Sequence, residues 1–254
     1  MWTTYGHESE LGMLLARTDP GVAKHQGITY FAVDMRAPGV EVRPLVQMTG
    51  EHEFNEVFLT DARIPDLLRI SPIGDGWGAA QTTLQAERFA LSGVRRKRRA
   101  RDEILGGKTI DDVLALATQA DAQAPGIDDG VRRDRIAQEV IRSRVLALTS
   151  QRFRTPGSGR PHGPIGSITK ITKASANQSL QVLAVELRGA AGQAWEDEDT
   201  VSPGFVRELL RTRANSIEGG TSEIQRNIVG ERVLGLPREP DPWKGAAWDE
   251  VPRS

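Results

Sequence analysis

Two acidic residues in this chain stand where a carboxylate could serve as a base. Glu87 lies in "TTLQAERFALSG" (82–93), with Leu84 and Leu91 three residues before it and four after. On a helix those spacings share one face. A carboxylate flanked by apolar side chains is desolvated, and its basicity rises. Periodicity alone also accommodates Glu87 as an ordinary surface carboxylate in an i, i+4 pair. Glu218 opens the run Glu218-Gly219-Gly220-Thr221. It reads either as a group facing a ligand or as a solvated or ion-paired loop acid. Gly219 keeps a backbone N–H and allows close approach to it, or simply satisfies a turn. Ser167 and Lys170, in "GPIGSITK" (163–170), could form an anion site near a helix N-terminus or reflect plain N-capping. His7, His25, His52 and His162 show no metal-ligand spacing, and with no Cys there are no thiolate nucleophiles, disulfides or Cys-bound metals. No metal site is expected.

The elements that must position these residues have two textures. Up to about residue 70 the runs are short and strand-like: 11–18, 27–35, 39–46 and 55–64, separated by turn-rich stretches such as "TDPGVAKHQG". After "PIGDGWG" (72–78) the period becomes helical. Ala137, Ile141, Val145 and Leu148 make one stripe, and Leu180, Leu183 and Leu187 another. Near the end Ser222 and Gln225 have capping-box spacing, while Gly235 and Pro237 supply a stop. Stretches 118–130 and 154–167 read as loops. The tail, 241–254, carries Trp243 and Trp248 and is expected to pack its aromatics on a neighbour. The expected fold is α+β: a partial antiparallel β domain (1–70), then an up-down helical bundle (71–240) and the tail.

The bulk numbers bound the function. A chain of 254 residues can bury a proper core, and a net charge of −1 provides no global field for nucleic acid or a membrane. "RRKRRAR" (95–101) lacks interleaved aromatics and reads as a solvated face at a helix C-terminus, where cations offset the dipole. No apolar run approaches the ~20 residues of a membrane span, and the start lacks a signal-peptide pattern. A cytoplasmic protein is the default expectation, without nucleic-acid or membrane partners.

Four segments, in order, carry a resemblance: "MWTTYGHESELGMLLARTDP", "GITYFAVDMRAPGVEVRPLVQMTGEHEFNEVFLTDARIP", "GDGWGAAQTTLQAERFALSG" and "IEGGTSEIQRNIVGERVLGLP". Together they resemble the acyl-CoA dehydrogenase family. The resemblance implies the second half of that family's central β domain followed by its C-terminal helical domain, so an N-terminally truncated member is expected. It implies FAD as cofactor and dehydrogenation of an acyl-CoA to a trans-2-enoyl-CoA. Electrons would pass to an electron-transferring flavoprotein. Trp2 and Thr4 match the flavin-contacting Trp and Thr, and Ser167 and Lys170 are placed on the cofactor side as the candidate anion site. In the common version of the family motif the base immediately precedes Gly-Thr, where this chain has Gly219. A second branch carries its base as Glu-Arg on the first bundle helix, which assigns the base to Glu87. Gly219 would then donate its N–H to the thioester oxygen, with Arg88, Glu218 and Gly220 on the substrate side. The family's Arg-x-x-Phe-Gly loop is not found in 106–130, and only scattered glycines survive in 189–201. This combination looks like a divergent actinobacterial branch of lipid and steroid catabolism, in which some members pair with a silent subunit. The implied assembly is a homo- or hetero-oligomer, a dimer of dimers. The alternatives are a non-catalytic partner subunit or an inactive truncated fragment.

Overall fold

The computed structural model describes residues 1–92, 107–119, 129–154, 165–194 and 204–252. The basic run at 95–101 and His162 lie outside the described residues, as do parts of the stretches read as loops.

Five antiparallel strands open the chain: β1 (Thr3–Thr4), β2 (Leu11–Arg17), β3 (Ile28–Asp34), β4 (Val40–Leu45) and β5 (Phe54–Leu59). They form two small sheets, β1-β5-β4 and β2-β3. The four strand-like runs in the sequence correspond to β2 through β5. The two-residue β1 escaped detection because two paired residues carry no alternation. The β2–β3 ladder pairs Leu11 with Asp34 and Arg17 with Ile28. The β4–β5 ladder pairs Val40 with Leu59 and Leu45 with Phe54. Tyr30, Val33 and Met35 are buried along β3 and its end.

Six α-helices follow among the described residues: α1 (Gly76–Ser92), α2 (Ile110–Gln119), α3 (Asp129–Arg154), α4 (Ile165–Leu187), α5 (Gly204–Arg211) and α6 (Ser222–Arg232). None is long and apolar enough to cross a membrane. The chain divides into two compact units. The first comprises Met1–Glu87 with Glu239–Ser254, and the second Arg88–Arg238. The division falls inside α1 because its first turns are fastened to β3. Gly76 lies so close to the Thr29 and Tyr30 backbone that an added Cβ would come within 2.6 Å of it. The Tyr30 hydroxyl reaches Thr83 Oγ1 at 3.4 Å, and Trp77 stacks on His25 with ring centroids 4.3 Å apart. The tail belongs to this first unit too. Trp248 N–H donates to Val22 O at 2.9 Å, and the Arg17 guanidinium lies 4.1 Å from the centre of the Trp248 ring. The neighbour that Trp248 finds is therefore within the chain. Trp243 stays half exposed.

In the second unit the apolar core is small: Val113 of α2 with Leu183, Ala184 and Leu187 of α4. Leu180 packs against it, so the α4 stripe faces inward as its period requires. The start of α2 is fixed by a reciprocal cap. Asp112 Oδ2 accepts from Thr109 N at 2.8 Å, and Thr109 Oγ1 accepts from Asp112 N at 3.3 Å.

The α3 stripe behaves differently from α4. Ala137, Ile141, Val145 and Leu148 all point to solvent. The inward face instead presents Ile136 to the core and a buried Glu139 to α4. Glu139 Oε1 accepts from Ser179 Oγ at 2.6 Å and from Arg142 Nη1 at 2.7 Å. Hydrogen bonds, beside the contact of Ile136, join these two helices. Once buried, an acid must keep its donors, and that requirement overrides the amphipathic pattern.

Candidate functional site

The turn between α5 and α6 is held by a network of buried polar side chains. A short 3-10 helix, Thr212–Ser216, carries the chain out of α5. Ile217 and Glu218 both donate their N–H to Ala214 O, at 2.8 and 2.9 Å. Gly219 (φ 63°) and Gly220 (φ 92°) then adopt left-handed backbone. Two successive residues of that kind favour glycine. Thr221 returns to extended geometry and caps α6, its Oγ1 accepting from Ile224 N at 3.3 Å. The cap thus lies one residue before Ser222, because the second left-handed glycine leaves Thr221 as the first residue able to take cap angles. Gln225 forms no capping box. Its amide donates to Gly219 O at 3.1 Å, tying the turn to the helix it precedes.

Glu218 is held from below. Arg211 Nη2 donates to Glu218 Oε2 at 3.0 Å, and Asn215 Nδ2 to Oε1 at 2.5 Å. The Arg211 side chain is only 6% exposed and that of Glu218 25%. Arg211 also ends α5, where a cation complements the helix dipole. The network continues into α4. Asn177 donates to Asn215 Oδ1 at 2.8 Å, and Gln178 to Thr212 O at 3.0 Å and Ser216 Oγ at 2.8 Å. Gln181, fully buried, clasps the Lys108 backbone through both of its amide atoms. Among the described residues, no acceptor meets the Gly219 N–H.

Lys170, in the first turns of α4, sends its ammonium to a buried position with no hydrogen-bond partner. Burial pushes its pKa below the usual lysine value, while the carboxylates of Glu218 and Glu223 act in the opposite direction. Lys170 and Glu218 are therefore electrostatic neighbours. Ser167 is the third residue of α4 rather than its cap, and its side chain is enclosed by protein.

The other sequence-derived positions lie in or at the edge of the first unit. Trp2 and Thr4 are two apart at β1, and both are exposed. The Trp2 ring meets Phe54 edge-on at 5.7 Å, and Thr4 pairs with Phe54 in the ladder. An indole supported from one side and a hydroxyl two residues on are the kind of groups that could meet one edge of a flat heteroaromatic ring. Glu87 and Arg88 both lie in the fourth turn of α1; their side chains fall outside the described residues. Leu84, one turn before Glu87, is 38% exposed.

Arg211 and Asn215 went unrecognised in the sequence, and Gln225 was read only as a capping residue. A faint signal existed: Asn177, Gln178 and Gln181 interrupt the apolar period of α4 where a core helix would carry leucine. Buried amides in such a run imply partners elsewhere in the fold.

With this geometry in place, comparisons with known proteins are informative. Residues 74–234 match the family description "Acyl-CoA dehydrogenase, C-terminal domain". Acyl-CoA dehydrogenase IpdE1 of Mycolicibacterium smegmatis is 35% identical over 242 residues, covering 94% of this chain and 57% of that protein. Acyl-CoA dehydrogenase FadE34 of Mycobacterium tuberculosis is 34% identical over 239 residues, covering 94% of this chain and 30% of its own length. Among solved structures, the Tcur3481-Tcur3483 steroid ACAD superposes with a TM-score of 0.75 at 24% identity, over 94% of this chain and 60% of that one. The ChsE4-ChsE5 complex from Mycobacterium tuberculosis superposes at 0.68 and 22% identity, with the same coverage. The chain thus spans about three fifths or less of the relatives it matches. The family model covers more than half of the chain, and the fold agrees with these solved structures: this chain belongs to the acyl-CoA dehydrogenase family.

Proposed function

We propose that this chain supplies the base and thioester-holding part of a flavin-dependent dehydrogenase that converts an acyl-CoA to its trans-2-enoyl-CoA. The observation that carries the reading is the turn at 218–220. Its left-handed glycines are fixed by Gln225 and by the Arg211–Glu218–Asn215 bonds, while the Gly219 N–H keeps no internal acceptor among the described residues.

An α-C–H of a thioester is too weakly acidic for an ordinary carboxylate. Polarising the thioester carbonyl is the remedy, and a preorganised backbone N–H does this without reorganisation cost. Gly219 is assigned that donor role. Glu87 is assigned the α-proton, with Arg88 beside it on the helix. Glu218 is not the base, because Arg211 and Asn215 already occupy its oxygens. It takes the place of a positioning residue on the substrate side, next to Gly220. Trp2 and Thr4 would hold FAD at the β1 edge, and Lys170, with Ser167, would supply positive charge on the cofactor side. When bound, FAD would accept the β-hydrogen as hydride, and an electron-transferring flavoprotein would be the onward acceptor. The solved structure named as a steroid ACAD directs the substrate class toward acyl-CoA thioesters in lipid or steroid catabolism.

A second reading has its own support. The structural relatives named as pairs of proteins, together with the exposed α3 stripe, fit a partner subunit that contributes an interface rather than chemistry.

One experiment separates the two. The purified protein is reconstituted with FAD, its visible flavin spectrum is recorded, and acyl-CoA thioesters are added anaerobically. Bleaching of the flavin band in wild type, its loss in Glu87→Gln with FAD still bound, and its persistence in Glu218→Gln support the assignment. Loss in Glu218→Gln with retention in Glu87→Gln would move the base to the turn. No bleaching in any form would favour the partner-subunit reading.

A further inference from the structure

We infer that the turn at 23–26, in the first unit, is a binding site for a phosphate group, held by Lys24, His25 and Arg17. Gln26 N–H donates to Ala23 O at 2.8 Å, which closes a four-residue β-turn with Lys24 and His25 as its central pair. Both are exposed. Arg17, the last residue of β2, reaches back to the same loop. Its Nη2 donates to Lys24 O at 2.8 Å and its Nη1 to Asp19 O at 3.5 Å. Three basic side chains therefore meet on one short connection.

Their charge is not balanced within the unit. Among the described residues no carboxylate comes within ion-pair distance of the Lys24 ammonium, the His25 ring or the Arg17 guanidinium. The acids nearby face other ways. Asp19 Oδ1 accepts from Gly21 N at 2.9 Å, and the Asp75 carboxylate lies over Gly78 of its own helix. The pKa of His25 is held below the usual histidine value by partial burial, then by the charges of Lys24 and Arg17, and no acid acts in the opposite direction. Like charges kept side by side cost free energy, and an arriving anion removes that cost.

Two of the three groups are fixed in advance. The His25 ring stacks on Trp77 with centroids 4.3 Å apart and planes 11° from parallel. The Arg17 guanidinium lies 4.1 Å from the centre of the Trp248 ring, and Trp248 is itself tied to the loop at Val22 O. The loop cannot drift, because a Cβ at Gly27 would come within 1.9 Å of Asp19 O. A Cβ at Gly74 would likewise meet Gln26 O at 2.5 Å, so the chain entering α1 lies against the turn. The N-terminal pole of that helix adds to the positive field. Only Lys24 must be ordered on binding, which keeps the entropic cost low. Phosphate suits the set better than a carboxylate does: it brings close to two negative charges and three acceptor oxygens to three donor side chains. A phosphate ester on a nucleotide such as coenzyme A and free inorganic phosphate share this chemistry.

The test is isothermal titration calorimetry of the full chain with inorganic phosphate, and then with coenzyme A, at an ionic strength held constant with chloride. Wild type is expected to bind phosphate saturably at about millimolar concentration and to shift the His25 ring signals in its NMR spectrum. Lys24→Glu should weaken binding by about tenfold or more, and Lys24→Arg should stay within about twofold of wild type. In phosphate-free buffer Lys24→Glu should melt no lower than wild type, because it removes a like-charge contact. Lost binding in a protein at least as heat-stable as wild type cannot arise from misfolding. Coenzyme A that competes with phosphate and binds at least about tenfold more tightly makes the nucleotide end of a thioester the source. Coenzyme A that fails to compete makes it free phosphate. No flavin reaction is read, so failure here is distinct from failure of the dehydrogenase reading. The inference is overturned by phosphate heats no different from those of chloride, by undiminished binding in Lys24→Glu, or by binding that leaves the His25 signals in place.

Discussion

The Arg211–Glu218 pair makes the sharpest energetic prediction. Replacing Glu218 with Gln keeps the shape and one acceptor for Asn215 but removes the charge that offsets the Arg211 guanidinium. Breaking a fully buried ion pair from one side costs about 3–5 kcal/mol. Here Arg211 is 6% exposed, but Glu218 is 25% exposed, so water can enter where the carboxylate was. Loss of a hydrogen bond to a charged group costs about 1.5–3 kcal/mol. Together these place the cost at about 2–3 kcal/mol. For a unit of this size that corresponds to a fall in melting temperature of roughly 4–12 °C. Thermal unfolding followed by helical circular dichroism measures it. Arg211→Met should cost less, since the carboxylate left behind keeps Asn215 and some water. The double variant, Met at both positions, should then be less destabilised than the sum of the single changes by more than about 1 kcal/mol. A Glu218→Gln protein within about 0.5 kcal/mol of wild type, with additive double substitutions, would falsify the claim that this pair anchors the turn.

Three further outcomes follow from other parts of the fold. Thr109→Ala removes the cap of α2 and should destabilise the protein by about 1 kcal/mol in urea unfolding, with an unchanged m-value. The same cap predicts a pH dependence. The Thr109 hydroxyl, then its backbone N–H, hold the Asp112 carboxyl below the usual aspartate value. A depressed acid contributes stability above its unfolded pKa, near 3.8, and that contribution is lost as pH falls through the lower folded value. Thr109→Ala should flatten this acid limb, and an identical limb in both proteins would count against it. Gly76→Ala drives a Cβ to 2.6 Å from the Thr29 and Tyr30 backbone, where nothing flexible can yield. A loss of about 1–3 kcal/mol confined to the first unit is expected, read as faster hydrogen exchange in β3. Trp248→Ala removes the ring beneath Arg17, with a cation–π contribution of about 0.5–1 kcal/mol plus its packing. Limited proteolysis should then cut the tail before the rest of the chain, whereas equal protection in both proteins would show that the backbone bonds of the tail suffice.

Much of this fold was legible because its signals were local. Strands β2 to β5 announce themselves by apolar alternation between turn residues, and the Leu180–Leu187 stripe marks the inward face of α4. The glycine turn and the helix stop at Gly235, which is left-handed at φ 69°, were equally plain. Long-range polar contacts were not. Nothing in the isolated sequence couples Gln178 to Ser216 or Asn177 to Asn215, about 38 residues on in each case. The α3 stripe shows the same limit from the other side. Its period was visible, but its direction depended on Glu139 finding Ser179. The cap of α6 moved by one residue because the backbone angles of two glycines, not the Ser-to-Gln spacing, decided where the helix could begin.

The burial pattern of the second unit ties these points to function. Its apolar centre is four residues, Val113, Leu183, Ala184 and Leu187, while Gln181, Thr212, Asn215, Ser222, Gln225 and Arg211 are buried around it. Polar groups in a low-dielectric interior are costly unless satisfied, and once satisfied they admit few alternative arrangements. Such an interior gives up packing energy and gains a fixed backbone. In the donor role proposed for Gly219 the left-handed turn needs that fixity, because an N–H displaced by even 1 Å can lose a hundredfold in rate. On this reasoning, substitutions among Asn177, Gln178 and Gln181 should alter the turn proposed to hold the thioester without touching it. Asn177→Leu is the cleanest case: it removes the donor to Asn215 while leaving Gly219 itself unchanged. The expected result is a faster-exchanging Gly219 amide and weaker binding of an acyl-CoA product analogue. Unchanged exchange at Gly219 would show that the turn holds itself, and that the polar interior has some other purpose.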